Sequence, residues 1–270
     1  MATISWNRRN LVGWIYPSVW INSSSLVLLF ICLLIWSVVT HAQSPGRLET
    51  AIFSSNRGSE SLPDGWQALV FSKIERLTDY SLVEEDGTVV VKAISNQSAS
   101  GLMQAISIDP ADYPVIQWRW KVNNVLQKGD VTSKDGDDYP ARIYITFAFN
   151  PEKASYLERL KHKAAQLIQG QDVPYRAISY IWGSNSPAGI MVENSYTDRV
   201  MMFVIQEGDE KLNQWITERR NVYEDYKKAF GDEPAMISGV AIMTDTDNTR
   251  ESAVAWYGDI VFMNNQVNPE

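Results

Sequence analysis

The sequence predicts a mainly β fold: an antiparallel, jelly-roll-like β-sandwich with two inserted amphipathic helices. Three observations lead there. Short runs of alternating apolar and polar residues recur between turn signals over residues 66–263, the period-2 pattern of half-buried strands. Only two segments switch to a helical period. No strand–helix–strand alternation is present, which argues against a doubly wound parallel sheet, and no fixed-length repeat suggests a solenoid or propeller.

Taken in order, residues 1–42 stand apart. They carry Arg8 and Arg9, no acid, and an apolar run from Leu26 to Val39. That run has the length of a secretory h-region and is short for a membrane span. A small residue, Ala42, then precedes polar Gln43 and Ser44, so a cleaved signal peptide is expected. The alternative is an uncleaved anchor through residues 26–39, because Trp14, Tyr16 and Trp20 suit a membrane interface. Both place the remaining chain in the periplasm or outside the cell, or on the outer side of the inner membrane. Residues 43–65, rich in Ser, Gly and Pro, read as a leader, residues 66–263 as one sandwich domain, and 264–270 as a tail.

Strands are expected at 66–71, 82–84, 88–93, 101–108, 115–122, 141–149, 177–182, 200–205, 237–243 and 254–262. The Asp86–Gly87 pair within "EEDGTVVV" marks a hairpin. The first helix is expected over 150–170, capped by Asn150, with Pro151 in its first turn and Gly170 at its end. The second, over 212–231, places Leu212, Trp215, Ile216, Val222, Tyr223 and Tyr226 on one stripe. Position 219 of that stripe is arginine. A guanidinium there needs a carboxylate beneath it or a route to water, while Arg220 is expected to pair with Glu224 on the surface.

Composition narrows the function. The chain has 24 Lys and Arg against 32 Asp and Glu, a net charge of −8, which approaches −10 once Arg8 and Arg9 are removed. Such a surface disfavours nucleic acid and anionic lipid and suits neutral or cationic ligands. The one cysteine, Cys32, lies inside the apolar run, so no disulfide, thiolate metal site or cysteine nucleophile is expected beyond it. The one histidine past the leader is His162, with no serine motif to partner it. Proton chemistry would fall to carboxylates.

Candidate site residues cluster in two acidic turns. "DGDDYPARIYITF" (135–147) sets Asp137, Asp138 and Tyr139 at the mouth of a strand. Ile143, Ile145 and Phe147 face the core there, and Arg142 faces the other way. A solvated turn with a weak Asp–Arg pair is the plain alternative. "MTDTDNTRES" (243–252) follows an apolar run with Asp245, Asp247 and Asn248, hard oxygen donors spaced to hold calcium. It lacks the glycine and closing glutamate of a twelve-residue calcium loop, and a turn rich in side-chain-to-backbone bonds is the competing account. In "WRWKV" (118–122) the tryptophans are expected in the core, with Arg119 and Lys121 opposite. Trp182 and Arg219 complete the expected pocket.

Several of these blocks together, "WRWKV", "DDYPARIYITF", "YIW", "RRNVYEDYKKAFG", "MTDTDNT" and "AWYGDIVF", resemble the bacterial family called domain of unknown function 3047. Its members are exported proteins without an assigned activity. The resemblance spans roughly residues 66–262 and implies export, but no catalytic positions. The closing "VAWYGDIVF" also resembles the terminal strand of galactose-binding-type jelly rolls. The expectation is therefore a protein that binds a glycan or other cell-envelope polyol through Asp137, Asp138, Tyr139, Arg142, Trp182, Arg219, Asp245, Asp247 and Asn248. No cofactor is expected beyond a possible calcium at Asp245, Asp247 and Asn248. The alternatives are a carboxylate-dependent hydrolase on a similar substrate and a non-catalytic envelope scaffold.

Overall fold

Alternation along the chain does produce strands. The computed structural model describes residues 46–58, 61–152 and 174–266, with isolated positions between 153 and 173; these described residues fall within one compact unit. The predicted signal segment, most of the first predicted helix with His162, and the end of the tail lie outside the described residues. Among those described, no helix is long and apolar enough to cross a membrane.

Thirteen strands are described in chain order: β1 (Arg47–Ala51), β2 (Trp66–Leu69), β3 (Asp79–Glu85), β4 (Thr88–Asn96), β5 (Ala99–Ile108), β6 (Val115–Val122), β7 (Arg142–Phe147), β8 (Arg176–Gly183), β9 (Met191–Asn194), β10 (Thr197–Glu207), β11 (Ile216–Asn221), β12 (Ile237–Asp245) and β13 (Ser252–Met263). They form two sheets. The first has six strands in the order β11-β6-β13-β4-β3, with β1 also paired to β13. The second has seven, in the order β2-β5-β12-β7-β8-β10-β9. Pairing is antiparallel throughout except between β8 and β10, which run parallel (Ile178 beside Met201, Ile181 beside Val204). The expected Asp86–Gly87 turn is present, both residues at positive φ (51° and 73°), as a two-residue hairpin of this kind requires.

The 43–65 segment contributes to the fold. Leu48 sits opposite Phe262 through the β1–β13 ladder, and Phe53 is buried 5.1 Å from the Trp66 ring. Five residues with mixed faces gave too short an alternation to announce this strand.

The second predicted helix is shorter than its stripe. Residues 216–221 form β11, paired antiparallel to β6 from Ile216 opposite Trp120 to Asn221 opposite Val115. The helix, α1 (Val222–Phe230), follows directly. Ile216 and Thr217 are β-branched, and the free edge of β6 offers a full ladder of backbone partners, so pairing overrides the helical period. The helix start is set by Asn221, whose side chain accepts from Glu224 N at 3.0 Å; the stop is set by Gly231 at φ 75°.

The inner faces of the sheets meet in an aromatic core. Trp118 stacks on Tyr180 at 5.1 Å and meets Trp120 edge-on at 5.4 Å, and Trp120 lies 5.8 Å from Trp182. A second, smaller cluster of Val131, Tyr139, Ile181, Met202 and Val204 occupies the opposite face of the seven-stranded sheet, beneath the β6–β7 loop (123–141). It is a satellite core under a long loop.

At the inner edge of β11, Glu218 accepts hydrogen bonds from Trp120 Nε1 (3.3 Å) and Gln206 Nε2 (2.7 Å). Burial raises its pKa above the ordinary 4.5 despite those bonds. A raised folded-state value means the native state holds its proton longer than the unfolded chain, so this group's contribution falls as pH rises above 4.5. Glu218→Gln is therefore expected to melt about 2 °C higher than wild type at pH 7, with the gap closing near pH 4. Paired thermal melts at the two pH values check this.

Candidate functional site

The β6–β7 loop is folded inward by Gly136. A Cβ there would lie 2.6 Å from Asp130 N and 2.9 Å from Lys128 O, so only glycine fits. Its carbonyl accepts from Asp130 N (2.9 Å) and Asp138 N (2.8 Å). Glu251 holds the loop start by accepting from Gln127 N and Lys128 N, both at 2.9 Å. This turn aims Asp137 and Asp138 at the end of β12, which is the antiparallel neighbour of β7, with Met243 opposite Arg142.

Six of the expected site residues therefore meet: Asp137, Asp138, Tyr139, Arg142, Asp245 and Asp247. Arg142 forms an ion pair with Asp245 Oδ2, and Asp245 Oδ1 accepts from Tyr139 N at 3.3 Å. Asp137 accepts from Tyr139 Oη (2.9 Å) and Asn194 Nδ2 (3.0 Å). Asp138 Oδ2 accepts from Thr249 N at 2.6 Å, while Asp138 Oδ1 has no hydrogen-bond partner among the described residues. Asp138, Asp245 and Asp247 each bring one carboxylate oxygen within 4.8 Å of the others.

This centre is closed. Asp137 is 5% exposed, Asp138 0%, Tyr139 1%, Arg142 4% and Asp245 2%; Asp247 is half-buried. Burial pushes the Asp138 carboxyl above the usual carboxylate range. Burial, ahead of the opposing pull of Arg142, holds Asp245 well above it, and Asp138, Asp137 and Asp247 add to the rise. Burial is the largest single influence on Arg142 and opposes its charge, but Asp245, Tyr144, Asp137 and Tyr139 together outweigh it and the guanidinium stays ionised. Tyr144, on the same face, is pushed up to about 12, chiefly by burial. An enclosed set of acids leaves little of its surface open to a polymer.

Three expected members lie elsewhere. Trp182 belongs to the inter-sheet core, fully buried, its Nε1 donating to Gly208 O at 3.0 Å. Arg219 is on β11, in register with Gln117; in a strand it sits on the outer face and not beneath a helix. Arg220 makes the buried contact instead: its Nε and Nη2 donate to Asp225 at 2.9 and 2.5 Å, and Tyr180 Oη donates to the same carboxylate at 2.8 Å. Asn248 sits beside the centre, but its Nδ2 donates to Lys134 O and Tyr196 Oη, both at 2.7 Å. In the trio of close carboxylates its place is taken by Asp138.

A second polar surface went unread in the sequence. On the outer face of the six-stranded sheet, two half-buried tryptophans, Trp215 and Trp256, alternate with cations. Arg119 lies 4.7 Å from the Trp215 ring, Lys121 lies 5.4 Å from Trp215 and 4.5 Å from Trp256, and Lys92 lies 5.6 Å from Trp256. Lys121 is also ion-paired with Glu85. Gly258 lets Arg119 lie against the β13 backbone, since a Cβ there would be 2.5 Å from Arg119 Cγ. Beside this ladder a cleft of about 160 Å³ is lined by Gln117, Arg119, Thr217 and Asp259, among others. That is smaller than the 300–1,000 Å³ of pockets that enclose a small molecule, so the feature is a platform. Period-2 reading of "AVAWYGDI" puts Trp256 opposite Ala255 and Tyr257, and was the available signal.

No curated protein sequence matches this chain. Among solved structures it is similar to a family 11 carbohydrate-binding module from a cellulosomal cellulase of Clostridium thermocellum, at 6% identity and TM-score 0.41, covering 83% of this chain and 98% of that one. A family 12 xyloglucanase from Bacillus licheniformis is similar at 9% identity and TM-score 0.40, covering 81% of this chain and 100% of that one. The K2 cleaved adhesin domain of Lys-gingipain is similar at 13% identity and TM-score 0.37, covering 80% and 99%. The family model described as "Protein of unknown function (DUF3047)" matches residues 64–261. That match runs from just before β2 almost to the end of β13, and the chain therefore belongs to the DUF3047 family.

Proposed function

We propose that this chain is an exported glycan-binding protein whose contact surface is the outer face of the six-stranded sheet. One observation carries the reading: Trp215 and Trp256 share that face with Arg119 and Lys121, beside a cleft that offers Gln117 and Thr217. Indole rings supply large apolar area with little rotamer entropy to lose, which suits the C–H faces of sugars. Amide, hydroxyl and guanidinium groups around them suit sugar hydroxyls. With Lys121 held by Glu85, Arg119 and Lys92 are the cations that favour glycans with acidic residues over neutral ones, in spite of the net negative charge of the chain. Export is supported by the apolar run and paired arginines of residues 1–42; cell fractionation with N-terminal sequencing tests it.

Affinity electrophoresis and calorimetry against mixed-linkage β-glucan, xyloglucan and a polyuronate test the binding. Saturable binding to at least one is expected. Trp215→Ala and Trp256→Ala are each expected to weaken it at least tenfold, about 1.4 kcal/mol. No saturable binding across the panel, or full affinity in both variants, would overturn the reading. Release of new reducing ends would point to hydrolysis instead.

A further inference from the structure

We propose that Asp138, Asp245 and Asp247 hold a divalent hard cation, calcium, that ties the β6–β7 loop to the end of β12. This stands independently of the glycan reading.

The charge count motivates it. Four carboxylates, those of Asp137, Asp138, Asp245 and Asp247, share one end of the seven-stranded sheet, and the guanidinium facing them, Arg142, is committed to Asp245 Oδ2. The nearby ammonium of Lys128 donates to Thr249 O at 3.1 Å. Three carboxylate oxygens within 4.8 Å of one another, two of them on closed residues, repel strongly where water cannot screen them.

Orphaned atoms point to the same spot. Asp138 is fully buried; one of its oxygens is satisfied by Thr249 N and the other by nothing among the described residues. The Thr249 hydroxyl, outside the acidic set and 2% exposed, likewise finds no partner of hydrogen-bonding geometry. It lies beside the Asp138 carboxylate, without the alignment of a full hydrogen bond. More than nine in ten buried polar atoms in folded proteins are satisfied. Two buried oxygens without a well-formed hydrogen bond, beside a trio of carboxylates, ask for a shared partner.

The donor set selects the ion. All candidates are oxygens, with no His or Cys, which favours calcium, magnesium or manganese over zinc or copper. Magnesium requires near-ideal octahedral geometry, whereas calcium accepts irregular sets of 6–8 oxygens. Donors drawn from a strand end, a turn and a separate loop form an irregular set. Half-buried Asp247 gives the ion its way in, and water would complete the shell.

The test uses the purified full chain, stripped with EDTA and titrated by calorimetry with calcium chloride and, separately, magnesium chloride. One calcium per chain is expected, with magnesium binding at least tenfold more weakly. At calcium 100-fold above its Kd the melting temperature should rise by about 5–10 °C. Asp247→Asn should weaken calcium binding at least tenfold while leaving the metal-free melting temperature equal or higher, because a like charge has been removed. Asp138→Asn should do the same, and half-buried Asp247 keeps the test open should that variant fold poorly. Identical melts in calcium and EDTA, binding of several ions per chain that neither variant changes, or a preference for magnesium would each overturn the proposal.

Discussion

Arg142→Met is expected to destabilise the fold by about 3–5 kcal/mol, the usual cost of removing one partner from a buried ion pair. Methionine keeps most of the stem's length, so the loss reports charge more than packing. Without the guanidinium, Asp245 is left fully buried beside Asp137 and Asp138. The contacts of Arg142 Cζ with the rings of Tyr139 (5.0 Å) and Tyr144 (5.3 Å) are lost as well. Urea unfolding of both proteins in EDTA measures the difference. The double variant Arg142→Met/Asp245→Leu should recover much of it, because a matched pair of apolar side chains can replace a buried ion pair at little cost. A single-variant cost below about 1 kcal/mol would mean the centre is solvated, as surface pairs are.

Trp118→Ala is expected to cost a similar 3–5 kcal/mol, through the cavity it opens. Trp118 is 1% exposed and joins the two sheets by stacking on Tyr180 while meeting Trp120 edge-on. Its indole N–H has no hydrogen-bond partner among the described residues. Trp118→Phe should therefore lose much less than Trp118→Ala, keeping the stack and removing an unsatisfied donor. Denaturant titration of the two variants separates these effects, and equal losses would assign the indole N–H a role that its surroundings do not suggest.

The features legible in the sequence were those set by local period. The inward tryptophans of β6 and the Asp86–Gly87 hairpin followed from alternation and turn chemistry alone. The meeting of Asp137–Arg142 with Asp245–Asp247 was also within reach: each set adjoins the end of an apolar strand, and antiparallel neighbours bring such ends together. What depended on strand order was not legible. "ITERRN" satisfies both periods, and the choice was made by the open edge of β6, which no local signal reports. The cap at Asn221 with Glu224 three residues on is the local clue that the helix begins at 222 and not at 212. Arg219, Trp182, Trp215 and Trp256 were assigned to the wrong surface or missed for the same reason, since a residue's face is fixed only once its sheet is known. Asn248 shows a finer limit: its position was right, but its amide is engaged by a loop carbonyl and a tyrosine.

The place of β13 has a consequence for assembly. It comes last among the described strands, yet it lies between β6 on one side and β4 and β1 on the other. Until residues 252–263 arrive, β4 and β6 have no common neighbour, and half of the sandwich cannot close. A chain delivered from its N-terminus by the ribosome must therefore stay loosely organised until this keystone emerges. Premature truncation before Ser252 should yield an aggregation-prone fragment and not a smaller folded unit.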